Sequence, residues 1–148
     1  MTVLGDRIEQ EIVIAAPADF VFRFFTEPAR HTAWLGLTAE LDPRPGGVYR
    51  CVVNSHSTVL GEYVEVSPYE HVSFTWGFEG SQSLPPGSSK VSITLVADGP
   101  RTVVRLVHTG LPASMVGIHA QGWTGYLADL QTVIARDLSL PPAESPTL

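Results

Sequence analysis

The stretch "HTGLPASMVGIHAQGWTGYLADLQTVIARDL", His108 to Leu138, decides how this chain is read. After Pro112, Ile118, Gly122, Trp123, Tyr126, Leu127, Leu130, Val133 and Ile134 form one stripe at i, i+3, i+4 and i+7 spacing. The spacing predicts one helix over Met115–Leu138, about 36 Å long at about 1.5 Å per residue. Its first half also carries Gly117, Gly122 and Gly125. An interior glycine costs a helix about 1 kcal/mol against alanine, so this cluster requires a compensating gain.

Upstream, from Leu37 to Gly110, apolar and polar residues alternate in six runs: "LTAEL", "GVYRCVVN", "TVLGEYVEVS", "HVSFTWGF", "SKVSITLVA" and "TVVRLVHTG". Turn signals separate them at "RPGG", "SPYE" and "ADGPR". A longer connection, "GFEGSQSLPPGSS", is expected to be exposed and mobile. Ahead of these runs "RIEQEIVI" alternates as a first strand, with Gln10 as the exception. Two short helices are expected after it, at about 17–26 and 28–34, divided by Pro28. The predicted class is therefore α+β: a curved antiparallel sheet of about seven strands, a long C-terminal helix, and two short helices after the first strand. Seven strands at about 4.8 Å spacing cover about 29–34 Å, which that helix can span.

At 148 residues the chain has the size of one domain, read here as residues 1–138, with "SLPPAESPTL" (139–148) expected to be a disordered tail. A hydrophobic share of 44% excludes disorder of the whole chain. The net charge of −6 argues against nucleic acid and anionic lipid as partners. Cys51 alone permits no intramolecular disulfide, and no apolar run reads as a signal peptide or membrane span, so a cytoplasmic location is the expectation. An edge strand and an apolar helix end make a homodimer a further expectation.

Alternation assigns faces to the strands. Phe74 and Trp76, then Val91 and Ile93, then Val104, Leu106 and His108 are expected to turn inward towards the helix, as are Tyr49 and Cys51. On "TVLGEYVEVS" Leu60, Val64 and Val66 share one parity, and Glu62 shares it too. Glu62 and His108 thus become the candidate catalytic pair, since a carboxylate and an imidazole in one apolar chamber can orient a ligand or serve as base and acid. The structural alternatives stand beside this: His108 capping the loop "TGLPAS", Glu62 at the open rim of the sheet. Gly122 has two readings as well, either giving Phe74 or Trp76 room to pack or widening a ligand chamber. Trp34 reads as a core plug or as chamber wall. The five histidines lack metal-ligand spacing, and no phosphate-binding loop, dinucleotide fingerprint or nucleophile elbow is present; neither a metal nor a cofactor is expected.

The ordered segments "APADFVFRFFTEPARHTAWLG", "DPRPGGVYR", "GEYVEVSPYEHVSFTW", "SITLVADGPRTVVRLVHTGLP" and "GWTGYLADL" resemble the SRPBCC (START-like) superfamily. Within it they resemble the AHSA-like branch, named after the activator of heat-shock protein 90 ATPase homologue. The resemblance covers about residues 7–138. It implies the helix-grip (START/Bet v 1-like) fold, in which the sheet grips the C-terminal helix around a cavity that in many relatives holds an apolar ligand.

Three functions follow as expectations. The first is a binding protein for a small apolar or aromatic ligand, with Trp34, Tyr49, Glu62, Phe74, Trp76, His108, Met115, Ile118, Gly122, Trp123 and Tyr126 around it. Ligand entry is expected past "GFEGSQSLPPGSS", "VNSHST" or "LPASMVG". The second is a cyclase- or aromatase-like enzyme using His108 and Glu62; the residues favour binding over catalysis. The third is a protein partner, as for the chaperone activator, although the eukaryotic activator carries an additional domain.

Overall fold

The computed structural model describes residues 2–4 and 7–139. Among these, eight strands form one antiparallel sheet: β1 (Thr2–Leu4), β2 (Arg7–Ile14), β3 (Thr38–Leu41), β4 (Val48–Asn54), β5 (Ser57–Ser67), β6 (His71–Trp76), β7 (Ser89–Asp98) and β8 (Arg101–Thr109). Their order across the sheet is β1-β2-β8-β7-β6-β5-β4-β3. Seven of them are the predicted runs, and β1 adds a three-residue edge. The sequential strands β3 to β8 each pair with the next in a meander, while β2 docks beside β8 and sets Ile8 against His108.

Two prolines place the short helices. Pro17 is extended at the N-cap of α1 (Ala18–Phe22), which tightens into a 3-10 turn at Arg23–Phe25. Glu27 precedes Pro28 and is held extended, at φ −106° and ψ 124°, so the first helix stops and α2 (Pro28–His31) starts with proline in its first turn. Both helices are shorter than the sequence suggests.

The long helix α3 spans Ala113–Ser139, two residues earlier at its start than the spacing predicts. Its buried stripe is Val116, Ala120, Trp123, Leu127, Leu130 and Ile134, alternating four and three residues apart as a helix laid along a sheet requires. Ile118 is not part of it. It lies five residues before Trp123, about 140° round the helix at about 100° per residue, and is 74% exposed. The expected tail from residue 139 lies outside the described residues, apart from Ser139, the last described residue of the helix. No helix among the described residues is long and apolar enough to cross a membrane.

The grip on α3 is asymmetric. On the β2 side Gln10 Nε2 donates to the Ala120 carbonyl at 2.8 Å and Gln131 Nε2 donates to the Val13 carbonyl at 2.9 Å. Gln10, the residue that breaks the apolar alternation of its strand, is thus a strap to the helix backbone. The opposite flank of α3, towards β4 and β5, has no such straps among the described residues and is where the groove described below opens.

One face assignment is overturned. On β5 the buried residues are Val59, Gly61 and Tyr63, whereas Leu60, Glu62 and Val64 point away from the helix. A bulge explains the misreading: the register with β6 shifts between Tyr63 and Glu65, so the parity of Val66 does not carry back to Leu60. Gly61 marks a close approach in the same strand, because a Cβ there would collide with the backbone carbonyl of Thr75.

The segment between β6 and β7 is exposed along most of its length, as expected, with one buried leucine. Leu84 is buried at its centre, the Phe78 amide donates to the Leu84 carbonyl at 2.8 Å, and the Leu84 amide donates to Ser81 Oγ at 3.0 Å. Its glycine, serine and proline content builds a folded loop held down by one leucine.

Candidate functional site

The core beneath α3 is filled with aromatic rings. Tyr49 stacks on Phe74 at 3.9 Å and 10°, and both are buried. The Tyr49 hydroxyl donates to His31 Nε2 at 2.7 Å, and His31 Nδ1 donates to the Phe24 carbonyl at 2.9 Å. Trp34 Nε1 donates to the same carbonyl at 2.9 Å, so two side chains hold the turn between the short helices. Burial pushes the His31 pKa down to about 4, which keeps the ring neutral and able to accept from Tyr49. Trp34 and Tyr49 are thus packed into a buried polar-aromatic cluster.

His108 is buried as expected, but its nitrogens are committed. Trp123 Nε1 donates to His108 Nδ1 at 3.0 Å, so the neutral ring carries its proton on Nε2 and donates to Ser89 Oγ at 2.9 Å. Ser89 in turn donates to the Trp76 carbonyl at 2.7 Å. Burial, and secondarily the neighbouring His119, pushes the His108 pKa down to about 3. A serine hydroxyl at hydrogen-bond distance from an imidazole invites comparison with a nucleophile and its base, but here the tautomer is opposite: Nε2 has no lone pair to take the serine proton. Ser89 and His108 form a closed structural relay that joins β6, β7, β8 and α3.

Glu62 does not face His108. It is exposed on the outer face of the sheet, where with Val48, Leu60, Thr75 and Pro86 it borders a separate open concavity of about 530 Å³. The proposed carboxylate–imidazole pair is thus split across the two faces of the sheet, and this correction follows from the β5 bulge.

Between the free flank of α3 and the β4–β5 hairpin lies an open groove of about 240 Å³. Its sheet wall is Trp76 with Phe78, its helix wall is His119, Gly122, Trp123 and Tyr126, with Ile118 at the lip, and the hairpin contributes Val53, Asn54 and Ser57. Of the residues expected around a ligand, the groove gathers Trp76, Ile118, Gly122, Trp123 and Tyr126. Phe74 and His108 are buried below it. Met115 is half-buried beside it and contributes its carbonyl, which accepts from His119 Nδ1 at 3.0 Å.

Gly122 gives this groove its depth. A Cβ at Gly122 would meet only Tyr126 Cε2, at 4.0 Å, and at Gly117 and Gly125 it would meet nothing within 4 Å. None of the three glycines is required by close packing, and at Gly122 the missing side chain leaves groove space.

His119 is the residue sequence reasoning passed over, having weighed it only as a metal ligand. Its signal is positional: three residues before Gly122 and four before Trp123, it shares their helix face. Trp76 Nε1 donates to His119 Nε2 at 3.4 Å, and burial holds its pKa below the ordinary imidazole range. No carboxylate lines the groove, and no group of three or more His, Cys, Asp or Glu side chains among the described residues is arranged to hold a metal ion.

The chain's likeness to known proteins agrees with this architecture. The family model described as activator of Hsp90 ATPase homolog 1-like protein matches residues 15–135. An AHSA1-like protein from Rhizobium etli, solved in solution, is 37% identical, with 96% of this chain and 90% of that one covered and a TM-score of 0.71. DynU16, a protein of the dynemicin biosynthetic locus, shares the fold at a TM-score of 0.77 and 23% identity, over 88% of this chain and 47% of that one. An HSP90 activator from Plasmodium falciparum shares it at a TM-score of 0.73 and 22% identity, over 88% of this chain and 97% of that one. An uncharacterized Schizosaccharomyces pombe protein is 26% identical over 106 residues, which are 71% of this chain and 30% of that protein. The chain thus spans about half the length of DynU16 and under a third of the fission-yeast protein. With most of its length matched by the family model and by the Rhizobium relative, the chain belongs to the family of activator of Hsp90 ATPase homolog 1-like proteins.

Proposed function

We propose that the protein binds a small, largely aromatic ligand in the groove between α3 and the β4–β5 hairpin. The observation that carries this reading is the unfilled space at Gly122, set among the rings of Trp76, Phe78, Trp123 and Tyr126. A glycine in mid-helix that serves no packing contact costs stability, and here it opens a surface that four aromatic residues line. The volume of about 240 Å³ lies just below the range typical of drug-sized sites, which suits a ligand of about two fused rings. The role is carriage, sensing or sequestration. Acid–base catalysis is disfavoured by the commitment of both His108 nitrogens and by Glu62 lying outside.

Chemical-shift mapping with a panel of bicyclic aromatics tests the reading. Binding is expected to shift amides of Val53, Phe78, His119 and Tyr126 in the wild type, and Gly122→Leu, which fills the groove, is expected to abolish those shifts while the protein stays folded. Equal binding by wild type and Gly122→Leu contradicts it.

A second reading has one observation in its favour. Ile118 is 74% exposed at the lip of the same groove, the placement expected of an anchor for a protein partner. The Plasmodium relative's description as an HSP90 activator points the same way. In that case a partner's apolar side chain occupies the groove, and Ile118→Asp is expected to weaken the partner complex more than it weakens uptake of a small aromatic.

A further inference from the structure

We propose that His119 makes the groove selective for aromatic ligands that carry a hydroxyl, favouring them over their ethers and over aromatic carboxylates. The inference rests on the ligand-binding reading above and adds the polar group that the ligand must present.

His119 Nδ1 faces the Met115 carbonyl at 3.0 Å, a pure acceptor, so in the neutral ring the proton sits on Nδ1 and Nε2 carries the lone pair. The only donor to that lone pair among the described residues is Trp76 Nε1, at 3.4 Å. Ordinary N–H donors approach to about 2.9–3.0 Å, so the contact is under-made at both ends. Both rings line the groove. A hydroxyl oxygen set to one side of the Trp76–His119 axis donates to Nε2 and accepts from Nε1, exchanging one long hydrogen bond for two.

Other ligand groups do this less well. An ether oxygen accepts from Trp76 but leaves Nε2 facing a lone pair. A carboxylate has the same defect and brings a charge. No lysine or arginine lines the groove. Desolvating an unpaired anion there is unfavourable. On the hairpin side, Asn54 uses its Oδ1 to accept from the His56 amide at 2.8 Å, which leaves its NH2 as the group that can donate. A second ligand oxygen, such as a ring carbonyl, suits that side.

The test is a titration of the purified protein at neutral pH with naphthol, methoxynaphthalene and naphthoate of matched substitution, followed by groove amide shifts and by the His119 Nε2 nitrogen shift. Naphthol is expected to bind roughly fivefold or more tightly than its methyl ether, naphthoate most weakly, and naphthol alone to move the Nε2 signal as an accepted hydrogen bond does. In His119→Phe, which keeps a ring in place, the two neutral ligands are expected to bind alike; His119→Gln, whose amide oxygen accepts, is expected to recover part of the preference. If the three ligands bind the wild type equally, or the naphthol preference survives in His119→Phe, the selectivity claim is overturned while the groove remains a binding site. If none of them binds, the binding reading fails and this inference fails with it. Should His119→Phe not fold, the wild-type ligand series and the Nε2 shift decide the matter alone.

Discussion

Trp123 Nε1 donates to His108 Nδ1 at 3.0 Å, and that one bond fixes what His108 can do. It puts the imidazole proton on Nε2, spends it on Ser89, and turns a potential base into a tie between α3 and three strands. Trp123→Phe leaves His108 Nδ1 buried without a donor. Loss of such a partner costs about 1–3 kcal/mol, so urea denaturation is expected to show a lower midpoint with an unchanged slope. His108→Gln, which can both accept and donate, is expected to cost less than His108→Leu.

Acid is expected to destabilise the fold. His31 and His108 titrate near 6.5 when unfolded but at about 4 and about 3 in the folded protein. Between those values the unfolded chain holds more protons, so stability rises with pH and falls as pH drops from about 6.5 towards 4, by about 1.4 kcal/mol per pH unit for each histidine. His119, also lowered by burial, adds in the same direction. Unfolding free energies measured across this range in wild type and His108→Gln check the claim: the variant's slope is expected to be shallower by about one histidine's share.

Gly122→Ala is expected to raise stability. The added methyl meets only Tyr126 at 4.0 Å, and alanine is better than glycine in a helix interior by up to about 1 kcal/mol. Thermal unfolding decides it. A lower melting temperature would mean that Gly122 serves packing after all.

The β6–β7 connection is expected to behave as folded structure. Leu84 is 1% exposed there, and truncating a buried leucine to alanine costs about 2–5 kcal/mol. Leu84→Ala is expected to fall in that range, and the Phe78 amide, bonded to the Leu84 carbonyl, to exchange more slowly than the amide of Gly80. Rapid exchange at Phe78 would restore the picture of a mobile loop.

The fold was legible because its signals are local and repeated: alternation in seven runs, turn residues between them, and one long apolar stripe opposite. The site was legible only in part. Trp76, Gly122, Trp123 and Tyr126 follow from periodicity, and His108 from strand parity. Glu62 was misplaced because a bulge is a two-residue event that alternation cannot register, and three apolar neighbours of like parity pointed the wrong way. Ile118 lines the groove as expected but at its lip and off the buried stripe, whose true members near the helix start are Val116 and the small Ala120. The polar partners of His31, His108 and His119 come from contacts 7 to 43 residues apart in sequence, together with one within a helical turn. No spacing rule reveals the distant ones.

The three tryptophans provide the most direct test of the groove. Trp76 and Trp123 line it, whereas Trp34 is buried in the His31–Tyr49 cluster with its Nε1 bonded to the Phe24 carbonyl at 2.9 Å. The measurement is a titration of the indole N–H resonances with naphthol. Saturable shifts at Trp76 and Trp123 with Trp34 unmoved are the predicted result. No shift at any indole, or shifts of equal size at all three, would contradict a ligand site beside Gly122.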